Sequence, residues 1–290
     1  MPLVRIIPRL DIKGSNLVKG IHLEGLRVLG KPEQFARYYY ENGADELIYM
    51  DVVASLYDRN SLHNIIERTA REILIPLTVG GGLKTIEDIK GVLRVGADKV
   101  SLNTAAIKNP QIIRDAARKF GSSTIVVAIE AIKQSDGQYL AYTDNGREFT
   151  GVDVLKWARK AAELGAGEIM ISSVDREGTG LGYDIELTRM VSGSVSIPVI
   201  AHGGAGNTQQ IYDVISSGKA DAVAIASILH YEFIQNNNPV FDTENEGNVE
   251  FLNNKRSFSK INPEKIKNIK TYLKDHEVDC RYDDERGDSS

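Results

Sequence analysis

Short apolar runs alternate with stretches of helical periodicity along most of this chain. Strand-type runs fall at 5–11, 47–53, 75–79, 99–102, 124–129, 168–172, 199–201 and 222–226. Helical patterns lie between them at 61–73, 85–94, 110–120, 152–164, 185–191 and 208–216, and a last helix covers 263–275. The first helix is predicted from Pro32, where Phe35, Tyr38 and Tyr39 sit at helical spacing and read as packing residues, as does Trp157. Strands that alternate with helices in this way predict a parallel sheet. Residues 14–30 hold four glycines without a clear period and are expected to form a mobile loop. Residues 133–150 are polar, with turn signals at Asp136-Gly137 and Asn145-Gly146, and predict a hairpin over one end of the sheet. The stretch 235–260 is rich in Asn, Glu and Ser and reads as an inserted loop, and 283–290 as a disordered charged tail. Residues 1–282 then make one domain.

The strand-and-loop unit repeats. The glycine turn that begins at Gly80 is answered by the one that begins at Gly203, and Asn103-Thr104 by Ala226-Ser227, at an offset of 123 residues. Gly43-Ala44-Asp45-Glu46 answers Gly165-Ala166-Gly167-Glu168 at 122, Asp51 answers Asp175 at 124, and Leu10-Asp11 answers Ile129-Glu130 at 119. Two halves of about four units each predict a (β/α)8 TIM barrel built from two half-barrels.

Composition narrows the partners. The 290 residues carry a net charge of −5 with no long basic run, against nucleic acid or anionic membrane as the main partner. No apolar run reaches membrane-spanning length. The one cysteine, Cys280, has no internal disulfide partner, which fits a reducing cytoplasm. It stands apart from any Cys/His cluster, so neither a metal nor a cofactor is expected.

In such barrels the chemistry lies at the C-terminal ends of the strands. Asp11 and Glu130 stand there at matching places in the two halves, so they face each other as a general acid and base would. The glycine turn ending in Gly82, with Asn103 and Thr104, and the turn at Gly204 with Ala226 and Ser227, form two anion sites, because free backbone N–H groups hold phosphate. A substrate with phosphate at both ends would lay its middle over the carboxylates. Asp51 and the Asp175–Gly178 loop rank below that pair, as orienting residues. His202 and His230 are isolated and read as structural. Arg5, Glu46, Lys99 and Glu168 fall at strand starts on four strands. The residues alone favour a stabilising ion-pair layer there; a gate on a passage through the barrel is the other reading.

The chain resembles the HisF family, the cyclase subunits of imidazole glycerol phosphate synthase, over residues 3 to about 233 and in the last helix. The matching stretches are Arg5-Ile6-Ile7-Pro8, Leu10-Asp11, Lys19-Gly20, Gly43–Leu47, Val79–Gly82, Gly96–Val100, Asn103–Ala105, Gly165–Glu168, Asp175-Arg176 with Gly178-Thr179, Gly203–Gly206 and Ala226-Ser227. The resemblance implies a HisH-type glutaminase docked at the N-terminal face near Asp98, with ammonia passing the Arg5/Glu46/Lys99/Glu168 layer. It also implies substrate contacts by Lys19, Glu177 and Gly178. Glu130 and Glu177 stand where the family has aspartate, and Arg9 and His202 where it has smaller residues. With Ala54–Asn60, Gly146-Arg147-Glu148 and His230-Tyr231, these departures look most similar to a paralogous branch. That branch forms acetamidino groups on surface-polysaccharide sugars with a glutaminase and a sugar amidotransferase. The expected function is therefore ammonia-using synthesis on a phosphorylated small molecule or sugar. The histidine-pathway cyclase is the alternative, and an ammonia-relay scaffold the reading of another class.

Overall fold

A computed structural model describes residues 3–53, 63–237 and 260–282. The stretch Ala54–Asn60, nearly all of the 235–260 insertion and the 283–290 tail lie outside the described residues.

Among the described residues, eight parallel strands close into a barrel: β1 (Arg5–Lys13), β4 (Leu47–Asp51), β5 (Leu77–Gly80), β6 (Lys99–Leu102), β7 (Ile125–Lys133), β10 (Glu168–Ser173), β11 (Val199–His202) and β12 (Ala222–Ile225). Each pairs with the next, β12 pairs with β1, and β10 with β7, so no strand edge is left open. This is the predicted TIM barrel. Along β1 the side chains alternate. Ile6, Leu10 and Ile12 join the apolar layer under the helices, while Ile7 joins Ile48, Val126, Ala128, Met170, Ile200, Ala222 and Ala224 in a second cluster that fills the lumen.

The surrounding helices are α1 (Pro32–Glu41), α2 (His63–Glu72), α3 (Ile86–Arg94), a short α4 (Thr104–Lys108), α5 (Gln111–Phe120), α6 (Val154–Leu164), α7 (Ile185–Ser192), α8 (Thr208–Ser216), α9 (Ser227–Asn236) and α10 (Ile266–Asp275). Helix α9 escaped the sequence pattern because Ser227 through Ile234 are all buried, which leaves no polar face to mark the period. The Ala-Asp pairs that precede three of the strands prove to be strand pins. Asp45, Asp98 and Asp221 each accept the backbone N–H of a neighbouring strand, from Ile6, Leu77 and Val199, at 2.7–2.8 Å.

Two excursions cover the C-terminal end. Residues 14–30, expected as a loop, form the antiparallel strands β2 (Asn16–Ile21) and β3 (Glu24–Gly30), with β2 paired to β1. The turn between them places His22 and Leu23 at φ 53° and 61°, a conformation normally signalled by Asn or Gly, so the sequence carried no hairpin mark. The second excursion is the predicted hairpin, in which β7 runs on into β8 (Tyr139–Thr143) and β9 (Glu148–Asp153).

Candidate active site

Strands β1 and β7 lie four steps apart in the ring of eight, so Asp11 and Glu130 stand on opposite walls of the mouth. Strand pairing sharpens the internal repeat. Asp11 is level with Met50 and Glu130 with Ser172, while Met50 is level with Gly80 and Ser172 with His202. Position 130 thus corresponds to 11, 128 to 9, 172 to 50 and 202 to 80. The glycine turns align at 122, not 123. Gly81 matches Gly203, with φ of 96° and 95°. A Cβ at Gly81 would meet the Asp51 carbonyl oxygen at 2.2 Å, and one at Gly203 the Ser173 oxygen at 2.7 Å. Asp51 therefore corresponds to Ser173, and the proposed match of Asp51 to Asp175 is corrected. The second pair of turns keeps its offset of 123. Asn103 and Ala226 share an unusual backbone conformation (φ/ψ −130°/−89° and −121°/−80°) and each opens a helix, so N–H groups point toward the mouth in both halves.

The two sides of the mouth are filled differently. On the β5–β6 side a cavity of about 360 Å³ is lined by Asp51, Gly81, Gly82, Ser101, Asn103, Thr104, Ala128 and Glu130, with Arg9 and Ser172 at its inner wall. Asn103 Oδ1 and Ser101 Oγ are buried there without a hydrogen-bond partner, as a site prepared for a polar ligand would leave them. Ser101 and the hairpin residues Asp144 and Asn145, which also line the cavity, went unnoticed in the sequence. Ser101 points inward by strand alternation and could have been found; the hairpin pair is brought in only by the tertiary fold.

On the β11–β12 side two larger side chains stand at the corresponding places. Arg9 Nε bonds Asp11 Oδ1 at 2.9 Å, and Arg9 Nη1 lies 3.1 Å from His202 Nδ1, with all three side chains buried. The equivalents of Arg9 and His202 are Ala128 and Gly80. Gly204, Ala226 and Ser227 do not line the cavity. Lys19 and Glu177, expected at a substrate, are buried against each other as an ion pair. Glu177 also accepts the Leu23 N–H at 2.9 Å, while its carbonyl takes the His22 N–H at 2.9 Å. The β2–β3 tip is thereby fastened to the loop that carries Gly178.

Glu130 faces the cavity with part of its surface, but its carboxyl lies deep among protein atoms. Burial pushes it up, the Gly146 N–H (2.8 Å), the Arg9 charge and Asn103 pull it back, and it settles at about 7. His202 is held well below its ordinary value by burial and by the charges of Arg9 and Lys19, so the ring is neutral. His230 is driven to about 3 by burial and bonds the Tyr39 hydroxyl at 2.7 Å, a structural role as expected.

At the opposite end, Arg5 bonds Glu46 (2.7 Å) and Glu168 (2.9 Å), and Lys99 bonds the same two carboxylates (3.0 and 2.7 Å). Two cations and two anions alternate in a closed ring at the foot of the lumen. Burial pulls the Arg5 guanidinium down, but its bonds to Glu168 and Glu46 leave it above its ordinary value. Burial raises Glu168, and Arg5 and Lys99 bring it below. A broader depression of about 820 Å³ lies outside the mouth beside Lys133, Tyr139 and Glu186. There Lys133 bonds Glu186 at 2.6 Å and Tyr139 bonds Asp184 at 3.0 Å, and neither Asp11 nor Glu130 lines it. Among the described residues no three His, Cys, Asp or Glu side chains are grouped as metal ligands would be, and no helix is long and apolar enough to cross a membrane.

Comparison with known proteins gives the family. The profile described as "Histidine biosynthesis protein" matches residues 5–235. The chain is 57% identical over 207 residues to imidazole glycerol phosphate synthase subunit HisF of Legionella pneumophila, covering 71% of this chain and 98% of that one. It is 47% identical over 227 residues to the subunit of the same name from Alkaliphilus metalliredigens (strain QYMF), covering 78% and 90%. With a closed (β/α)8 barrel, a carboxylate on each wall of its mouth and these relatives, the chain belongs to the histidine-biosynthesis protein family, in its HisF group.

Proposed function

We propose that this chain is the cyclase subunit of an imidazole glycerol phosphate synthase, joining ammonia to a ribulosyl substrate that carries two phosphates. The observation that carries the reading is axial. A closed ring of Arg5, Glu46, Lys99 and Glu168 stands at one end of the lumen, an apolar filling of Ile7, Ile48, Val126 and Ile200 follows, and two opposed carboxylates stand at the other end. Such a layout suits a neutral nucleophile that enters from below. Opening the ring needs one arm to swing, and we assign that to Lys99, whose single ammonium on a flexible chain has no guanidinium fork to release. A HisH-type glutaminase at the N-terminal face, near Asp98, would supply the ammonia in the cytoplasm.

Asp11 and Glu130 act as the acid–base pair. The Gly82, Asn103 and Thr104 turns hold one phosphate, and Gly204, Ala226 and Ser227 the other. Asp51 lines the cavity, and the Lys19–Glu177 pair with Gly178 supports the β2–β3 tip beside it. The names of the relatives support this reading above the sugar-amidination reading preferred from Glu130, Glu177 and His202, and nothing among them supports a sugar amidotransferase partner. One observation still favours a changed acceptor as a second reading, namely the Arg9–His202 contact on the β11–β12 side. Purified chain supplied with ammonium salt and the histidine-pathway bisphosphate decides between them. Turnover to imidazole glycerol phosphate, lost in Asp11→Asn, is the expected result. No turnover by chain that binds its glutaminase would overturn the proposal.

A further inference from the structure

The half-barrel repeat makes Asp11 and Glu130 equivalent in backbone position, yet their surroundings are unequal in one respect. Asp11 has Arg9 two residues before it on the same face of β1. Glu130 has Ala128 at that place. Arg9 gives its Nε–H to Asp11 Oδ1 at 2.9 Å and its Nη1–H to His202 Nδ1 at 3.1 Å. Arginine has donors only and keeps its proton at any working pH, so His202 Nδ1 must accept and the ring proton sits on Nε2. Ser172 Oγ, 3.0 Å from the same Nδ1, fixes the ring further. The brace exists because His202 replaces the counterpart of Gly80, and its neighbour Ser172 is small where the Gly80 neighbour is Met50, whose sulfur would lie 2.7 Å from a Cβ at that glycine.

The geometry points to Arg9 as the positioning residue of the acid–base pair: its guanidinium, braced by His202, holds the Asp11 carboxylate as proton acceptor and leaves Glu130, with no cation at the matching place, as proton donor. Arg9 takes Oδ1, so Oδ2 is the oxygen of Asp11 left to receive a proton. The Glu130 carboxyl, pushed up by burial to about 7, agrees with the donor role. The charged groups near it are Arg9 from β1 and Asp144 from the hairpin; Asp51, Lys84 and Lys108 also line the cavity, and its hydrogen-bond donors, Gly146 N–H and Asn103, are neutral. Arg9 itself cannot exchange protons at neutral pH, so its influence runs through Asp11 and Glu130.

The roles rest on the acid–base reading above, and the test separates the two. Wild-type chain, Arg9→Met, Arg9→Lys and His202→Leu are assayed with ammonium salt and the histidine-pathway bisphosphate across pH, with thermal melts as the folding control. Arg9→Met is expected to lower kcat about 100-fold while KM stays within about 3-fold, since loss of positioning acts on the reaction step. Arg9→Lys recovers roughly a tenth of the lost rate, because an ammonium pairs with Asp11 but lacks the fork that reaches His202. His202→Leu keeps the cation, loosens it, and falls about 10-fold; it also serves if Arg9→Met does not fold. In Arg9→Met the alkaline limb of kcat moves upward, because the charge restraining Glu130 is gone. Unchanged kcat and pH profile in Arg9→Met, or a rise in KM alone, overturns the proposal. If wild-type chain turns over no bisphosphate, the functional reading fails instead. The Glu130 midpoint in free protein, followed by carboxyl 13C NMR, then decides for Arg9: an upward move in Arg9→Met supports it and an unmoved midpoint overturns it.

Discussion

The β5–β6 and β11–β12 sides of the mouth share a backbone and differ in what fills it. Both end in a glycine pressed against the end of the preceding strand, and both open a helix from a residue in the same unusual conformation. On the first side Ala128 and Gly80 leave a cavity of about 360 Å³. On the second, Arg9 and His202 stand at those places, and Arg9 bonds Asp11. The N-terminal ring is unequal in the same fashion. Glu46 and Glu168 correspond across the repeat, but both cations come from the first half, with Thr124 and Ala222 at the places matching Arg5 and Lys99. A duplicated backbone thus supplies symmetric places, and a few side chains make them unequal, in the surroundings of the two carboxylates and in the cations of the ring.

The largest expected effect comes from removing either carboxylate. Asp11→Asn and Glu130→Gln should each cut kcat by roughly 10²–10⁴, read by ammonia-driven turnover. If both stay fully active with the glutaminase bound, the scaffold reading wins.

Stability should separate the same two residues with opposite sign. The folded-state value of Glu130, about 7, lies above the roughly 4.3 of an unfolded glutamate. The folded chain binds that proton more tightly, so the stability is complete below about 4.3 and is lost as pH rises through 7. At pH 8 Glu130→Gln should therefore stabilise the fold, by at most about 4 kcal/mol and less where cavity water solvates the carboxylate. Asp11→Asn should destabilise it, since it leaves Arg9 buried without its counter-charge. Melting curves at pH 5 and pH 8 check both signs.

Gly81→Ala and Gly203→Ala test the shared turn. Each should cost about 1–3 kcal/mol, with Gly81 worse because its Cβ would come closer to backbone oxygen, 2.2 against 2.7 Å. Equal tolerance of alanine at both would count against the aligned turns. The smallest effect is expected at the ring. Lys99→Ala should change glutamine-driven turnover roughly tenfold while ammonia-driven turnover holds, and an equal change in both would remove the gate.

How much of this was legible in the sequence depends on how local each feature is. The eight strands, the strand-end Asp11 and Glu130 and the charged layer follow from period and repeat alone. The 16–30 hairpin was missed because His22-Leu23 carries no turn signature, and α9 because burial on all sides erases the helical period. The one-residue misalignment of the glycine turns arose because Gly80, Gly81 and Gly82 are identical letters; only the strand ladder distinguishes them. His202 reads as an isolated structural histidine in the sequence, but its partnership with Arg9 spans 193 residues and depends on tertiary pairing. Lys19 and Glu177 were placed at a substrate by resemblance, whereas in this structure they hold each other.

The inequality of the two carboxylates is most directly tested by titrating Glu130 in the free protein, through carboxyl 13C NMR assigned with Glu130→Gln. A midpoint near 7 that sets the alkaline limb of turnover is the predicted result. A midpoint near that of an ordinary glutamate, with turnover unaffected between pH 6 and about 8, would contradict the account.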